Sequence, residues 1–288
     1  MTAAADPLSV WPVTQQVAAT QRRSRYLPES KEHPGRMLPA LARRAIESYT
    51  APGDLVVDPM CGIGTTLVEA IHLGRRAFGI ELEHRWTAVA AGNALLARRQ
   101  GAEGQALALR GDARALGRGL LDDVCGRVEL ILTSPPYGSS IHGRVRNRAD
   151  GIDTFYNRYS DSRQNLGQLS ALASGDTIAP KLRAALVEIL AGCRRMLSPT
   201  GRLVMTTRPY RHRSALVDLP GVVVQLAADA GLALEARHVA LLAGLRDGGL
   251  VSRHSFFQLA RQRRGTIPRM LLIAHEDVLV FRAADGGS

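Results

Sequence analysis

Two short stretches constrain this chain more than any others. Asp58-Pro-Met-Cys-Gly-Ile-Gly-Thr-Thr66 follows the apolar run Leu55-Val-Val57, and Thr133-Ser-Pro-Pro-Tyr137 follows Val128-Glu-Leu-Ile-Leu132. Each β-branched run predicts a buried strand. Each break then falls at a strand's carboxyl end, where open α/β sheets hold their ligands.

In the first stretch, Gly62 and Gly64 let the backbone turn tightly and approach a ligand with no Cβ between. Thr65 and Thr66 open a helix whose N-terminus carries spare N–H groups and a partial positive charge. A pyrophosphate or the carboxylate of an amino-acid moiety suits that end equally. The Gly-Lys-Ser/Thr of a nucleoside-triphosphate loop is absent, which argues against ATP. Glu81 lies 23 residues after Asp58 at the end of a second strand, the distance expected of an acid that accepts from ribose hydroxyls. The alternative is a surface glutamate beside Glu83. In the second stretch, Ser134 offers a hydroxyl that donates and accepts. Pro135 and Pro136 stiffen the backbone, leave carbonyls free to accept, and lead to the flat ring of Tyr137. That set suits a planar group bearing an amino function; the plain alternative is a proline turn that ends a strand.

At 288 residues, 45% hydrophobic and 22% charged, the chain has the composition of a globular protein with room for a sizeable core. No apolar run reaches the length of a membrane span and no signal core is visible, so a cytoplasmic protein is expected. Cys61, Cys125 and Cys193 form no Cys-x-x-Cys pair, which argues against a disulfide framework or a zinc site. Cys61 reads as a small apolar residue of the loop. The formal charge of +11 points to a polyanionic partner. Lys31 and Lys181 are the only lysines, so genome composition accounts for the arginine bias, though not for the net excess.

Periodicity predicts helices over 38–49, from 65, 86–99, 181–197 and 220–231. Strands are predicted at 54–58, 76–80, 106–109, 128–132, 202–207, 232–242 and 275–282. Residues 1–32 read as an N-terminal arm with a disordered tip. Its Arg22, Arg23 and Arg25 either contact phosphates or are solvated. Residues 33–288 read as one domain with a disordered tail from 283. A basic, tyrosine-bearing loop at about 138–180 is long enough to be functional. Its Arg144, Arg146 and Arg148 near Phe155, Tyr156 and Tyr159 suit a nucleic-acid strand.

The order and spacing of the two motifs resemble those of the S-adenosylmethionine-dependent amino-methyltransferases of nucleic acids, the family of DNA N4-cytosine and N6-adenine methyltransferases. The resemblance covers roughly residues 33–209. It implies a Rossmann-like, seven-stranded α/β sheet, mostly parallel with an antiparallel terminal strand. It implies S-adenosylmethionine as cofactor, with contacts from Asp58, Met60, Cys61, Gly62, Gly64, Thr65, Thr66, Glu81 and Asp112. Asp112 takes the cofactor's adenine amino group in this reading, or else caps the next helix. Ser134, Pro135, Pro136 and Tyr137 become the catalytic set, no metal is called for, and the partner is nucleic acid. DNA is favoured over RNA, and cytosine N4 over adenine N6, because serine opens the second motif. Methylation of guanine in transfer RNA is the alternative within the class. A non-catalytic nucleic-acid-binding protein is the alternative outside it.

Overall fold

The computed structural model describes residues 8–135, 144–148, 151–155, 166, 179–212, 215–252 and 273–284. Its centre is an eight-stranded sheet. The sheet strands in chain order are β1 (Val10–Trp11), β2 (Leu55–Asp58), β3 (Arg76–Glu81), β4 (Gln105–Arg110), β5 (Val128–Thr133), β8 (Leu197–Thr207), β11 (Leu232–Leu241) and β14 (His275–Ala283). The remaining strands form three hairpins: β6 (Arg144–Arg148) with β7 (Gly151–Phe155), β9 (Tyr210–His212) with β10 (Ala215–Val217), and β12 (Ala243–Arg246) with β13 (Gly249–Ser252). Across the sheet the order is β1-β11-β14-β8-β5-β2-β3-β4.

The central strands are buried on both faces, as parallel strands covered by helices must be. All of β2 is buried, and its side chains alternate between two cores. Leu55 and Val57 pack with Ile189 and Leu190 of α5 (Pro180–Met196) and Leu226 of α6 (Leu219–Asp229). Val56 packs on the other side with Leu41 and Ile46 of α2 (Pro39–Tyr49) and Leu67 of α3 (Thr65–His72). α4 (His84–Arg99) completes that layer against α3, through Trp86, Val89, Ala94 and Ala97 packed with Val68 and Ile71.

Because β4, β3, β2, β5 and β8 pair in parallel, their carboxyl ends share one edge. β14 runs antiparallel to β8, so its start is brought to that same edge, with Asp277 opposite Thr207. The terminal strand β14 runs antiparallel to both of its neighbours, as the resemblance implies. The strand count differs from the expected seven: Val10–Trp11 adds an eighth, parallel to β11. Two residues carry no readable period. The strand is fixed by distant contacts: Trp11 stacks on His238 with ring centroids 4.6 Å apart, and the Thr14 hydroxyl donates to the Leu241 carbonyl at 2.8 Å.

Candidate cofactor and substrate site

The loop after β2 is held from three sides. Gly62 and Gly64 sit at φ +53° and +78°, the left-handed region glycine enters without penalty. The Cys61 N–H donates to the Ile80 carbonyl at 2.9 Å, and the Gly62 N–H to Glu81 Oε2 at 3.0 Å. β3 thereby anchors the loop. Gly79 permits this approach, since a Cβ there would lie 2.8 Å from Cys61 Sγ.

Asp58 and Glu81 end neighbouring strands, and both are buried. Asp58 accepts from the Met60 N–H at 3.1 Å and from the Thr66 hydroxyl at 2.6 Å. Burial nonetheless pushes its carboxyl up to about 6. The hydroxyl of Thr133, at the tip of β5, is near enough to temper that shift but does not complete hydrogen-bond geometry. Glu81 accepts from the Gly62 and Glu83 N–H groups, at 3.0 and 2.9 Å. Burial pushes it up to about 7, with Glu83 and Asp58 adding to the rise. A buried carboxylate in that condition is stabilised by further O–H donors.

β2 and β5 are neighbours, with Val57 opposite Ile131. The tip that carries Asp58 therefore lies beside the tip that carries Thr133, half-buried Ser134 and buried Pro135. The two motifs open onto one edge. Pro136 and Tyr137 lie outside the described residues. So do the chain's first seven residues, its last four, and most of the expected basic loop, apart from the β6–β7 backbone pairing and Leu166.

Asp112, at the β4 tip, is committed locally. Its Oδ1 accepts from the Arg114 N–H at 3.0 Å, and its carboxylate pairs with the Arg114 guanidinium. Burial alone would raise the group, but the Arg114 bonds win and hold it below the usual carboxylate range. Burial drives the Cys61 thiol well above its ordinary value, which suits an apolar filler rather than a nucleophile. Met60 packs partly buried against the α5–α6 core.

The sequence-based reading missed the support behind the loop. The expected phosphate-contacting or solvated arm is a strap across α3 and α4. Arg25 pairs with Glu69 at 2.8 Å, and the Tyr26 hydroxyl donates to the same carboxylate at 2.8 Å. Arg22 donates to the Met37 carbonyl, and burial lowers its guanidinium to about 10. Asn93 of α4 accepts from the Leu27 N–H at 2.7 Å and donates to the Ile63 carbonyl at 2.8 Å, so it ties strap to loop. His33 packs edge-on to Trp86, and a Cβ on Gly62 would come within 3.1 Å of its Nε2. A signal for Asn93 was present: it sits on the apolar stripe Trp86, Val89, Ala90, Asn93, Ala94, Ala97, where a polar residue needs a buried partner.

S-adenosylmethionine fits these groups. Thr65 Oγ1, at the N-terminus of α3, is buried with no hydrogen-bond partner among the described residues. It and the helix end suit a carboxylate, while Glu81 suits a pair of ribose hydroxyls.

Residues 2–91 match the model of a family described as DNA methylase. The tRNA (guanine(10)-N2)-dimethyltransferase of Methanocaldococcus jannaschii is 34% identical over 110 residues, 38% of this chain and 30% of that protein. Its counterpart in Methanothermobacter thermautotrophicus is 32% identical over 147 residues, 51% of this chain and 38% of that protein. The DNA adenine methyltransferase YhdJ of Escherichia coli is 42% identical over 65 residues, 22% of each chain. The chain thus spans about a third of the length of the tRNA-modifying relatives. Among solved structures, TrmN from Thermus thermophilus shares the fold, with a TM-score of 0.52 and 20% identity over 91% of this chain and 53% of that one. Among the described residues no helix is long and apolar enough to cross a membrane. The family model and these relatives, each matching part of the chain, are methyltransferases that act on amino groups of nucleic acids, and the cofactor they indicate is S-adenosylmethionine.

Proposed function

We propose that this protein methylates an exocyclic amino group of a nucleobase, that its substrate is RNA, and that the target is guanine N2. The carrying observation is the adjacency of the β2 and β5 tips, which sets the Asp58–Thr66 loop beside Ser134 and Pro135. Two guanine-N2 tRNA methyltransferases match over 110 and 147 residues, and the E. coli DNA enzyme over 65. That weighting moves the reading from the DNA cytosine expected on sequence to RNA. DNA remains the second reading, favoured by the DNA methylase family match to residues 2–91.

Glu81 accepts hydrogen bonds from the ribose hydroxyls, and Thr65 with the α3 N-terminus donates to the amino-acid carboxylate. Met60 and Cys61 line the loop, and Asp112 exchanges one of its Arg114 bonds for the cofactor's adenine amino group. Bound S-adenosylmethionine supplies an electrophilic methyl group on a sulfonium. The amino nitrogen's lone pair is delocalised into the base, so the chain's task is to localise and aim it. Ser134 Oγ and the Pro135 carbonyl accept hydrogen bonds from the two N–H groups and favour a tetrahedral nitrogen; on methyl transfer one of these protons would be released to solvent and the other would stay on nitrogen. Alignment with the methyl supplies much of the rate. Tyr137, outside the described residues, is the aromatic residue assigned to stack on an extruded base, and Pro136 belongs to the same motif. The natural setting is the cytoplasm, with residues 33–288 acting as one domain.

The test is nucleoside mass analysis after incubating the protein and S-adenosylmethionine with transfer RNA and, separately, with DNA. N2-methylguanosine from RNA, lost in Ser134→Ala, is expected. Methyl groups found only on cytosine or adenine of DNA would overturn the RNA assignment.

A further inference from the structure

The β12–β13 hairpin has a fixed root and an apolar tip. At the root, Ala243 and Gly244 are buried. The Leu242 N–H donates to the Ala274 carbonyl at 2.8 Å, and Thr14 holds the Leu241 carbonyl. At the tip, Arg246 pairs with Gly249 across a two-residue turn. Asp247 and Gly248 both have positive φ, +49° and +74°, as a type I′ turn requires. Such a turn follows the strands' own twist, so the tip is stiff. Yet Leu245 and Leu250, cross-strand partners on one face, are 56% and 64% exposed. A stiff tip that spends leucines on water gains nothing for the fold.

Its place says what they meet. β11 is antiparallel to β14, which is antiparallel to β8. β11 therefore ends at the edge that carries Ser134, and β12 begins two residues later. Strands lie about 4.8 Å apart, so the root is roughly 15 Å from the β5 tip, and a four-residue arm reaches roughly 13 Å. Arg208 follows β8 at the same edge, and the chain is strongly basic.

We propose that this hairpin is a wedge for folded RNA: Leu245 and Leu250 pack against the bases flanking the target, and Arg246 contacts the adjoining phosphate. The apolar contact replaces stacking lost when the target base is extruded. This rests on the RNA-methyltransferase reading above and concerns only how a paired base is reached.

The test compares Leu245→Ser/Leu250→Ser with the parent protein under single-turnover conditions, using labelled S-adenosylmethionine. Natively folded transfer RNA is one substrate; the same RNA cut to short single strands is the other. The variant is expected to lose at least about tenfold on folded RNA and less than about twofold on fragments. Cofactor affinity and melting temperature should stay unchanged, because both side chains face water. Equal losses on the two substrates, or none, overturn the wedge. Unchanged transfer with an altered sedimentation coefficient also overturns it and assigns the tip to a protein contact. A parent protein that binds cofactor but labels neither RNA removes the RNA reading and the wedge with it.

Discussion

At the tips of β2 and β3 every buried carboxylate oxygen is held. Asp58 takes a backbone N–H and the Thr66 hydroxyl, and Glu81 takes two backbone N–H groups. At the tips of β5, β8 and β14, one to three strands from β2, buried oxygens lack such partners among the described residues. The hydroxyls of Thr133 and Thr207 make no hydrogen bond with a described residue. Asp277 spends one oxygen on Arg237 at 2.8 Å, while the other, among the described residues, faces His275 3.8 Å away. The first region is finished by residues near it in sequence, so it stands ready before any ligand arrives. The second is assembled from chain segments about seventy residues apart and keeps hydrogen-bonding capacity that no described residue uses beside Ser134.

That contrast breaks first on pH. Asp58 at about 6 and Glu81 at about 7 hold protons more tightly folded than unfolded. Between the ordinary carboxylate range and pH about 7, the folded chain therefore binds more protons than the unfolded one. Stability of the cofactor-free protein should fall as pH rises through that window, by on the order of 3 kcal/mol for each group. Urea midpoints against pH measure this, and Glu81→Gln should flatten the upper part of the curve. Cofactor affinity should move oppositely, weakening up to tenfold per unit below pH about 7, because a protonated Glu81 loses acceptor capacity.

Ser134→Ala acts on the other region alone. A turnover loss of about 10²-fold with unchanged cofactor affinity is expected from lost positioning; a parallel loss of affinity would merge the two regions. Thr66→Val leaves Asp58 Oδ2 without its hydroxyl donor and should cost about 2 kcal/mol of unfolding free energy. Gly62→Ala combines a positive φ with the 3.1 Å approach to His33, for about 1–2 kcal/mol and a weaker cofactor complex. The smallest effect is the sharpest: Thr207→Val, the same replacement at an unpartnered hydroxyl, should change stability by no more than about 0.5 kcal/mol. A cost there equal to that of Thr66→Val would erase the difference between the regions.

The same contrast governs what could be read from the chain. The loop, its helix and Glu81 lie within 24 residues, and each announces itself by period, glycine or strand-end position. Asp112 showed both of its readings in advance, and Arg114 two residues on now occupies the capping one. The strap was illegible, because Arg25 and Tyr26 look like any polar segment until Glu69, more than forty residues away, is placed beside them. β8 runs back through Ser198-Pro-Thr-Gly201, which reads as a turn. The pairing of Val128 with Leu197 and of Leu130 with Arg202 absorbs the irregularity.

From the sequence alone came the parallel α/β sheet, the glycine loop, the acid at the end of its second strand and the proline-bearing second motif. All of these rest on short-range patterns of burial, backbone freedom and strand-end position. Tertiary structure alone decided the eighth strand, the strap that Asn93 ties to the glycine loop, and the approach of Thr133 to Asp58. Each depends on which strands become neighbours, and strand order is set by packing both faces of one sheet at once, a constraint that no local stretch of residues records.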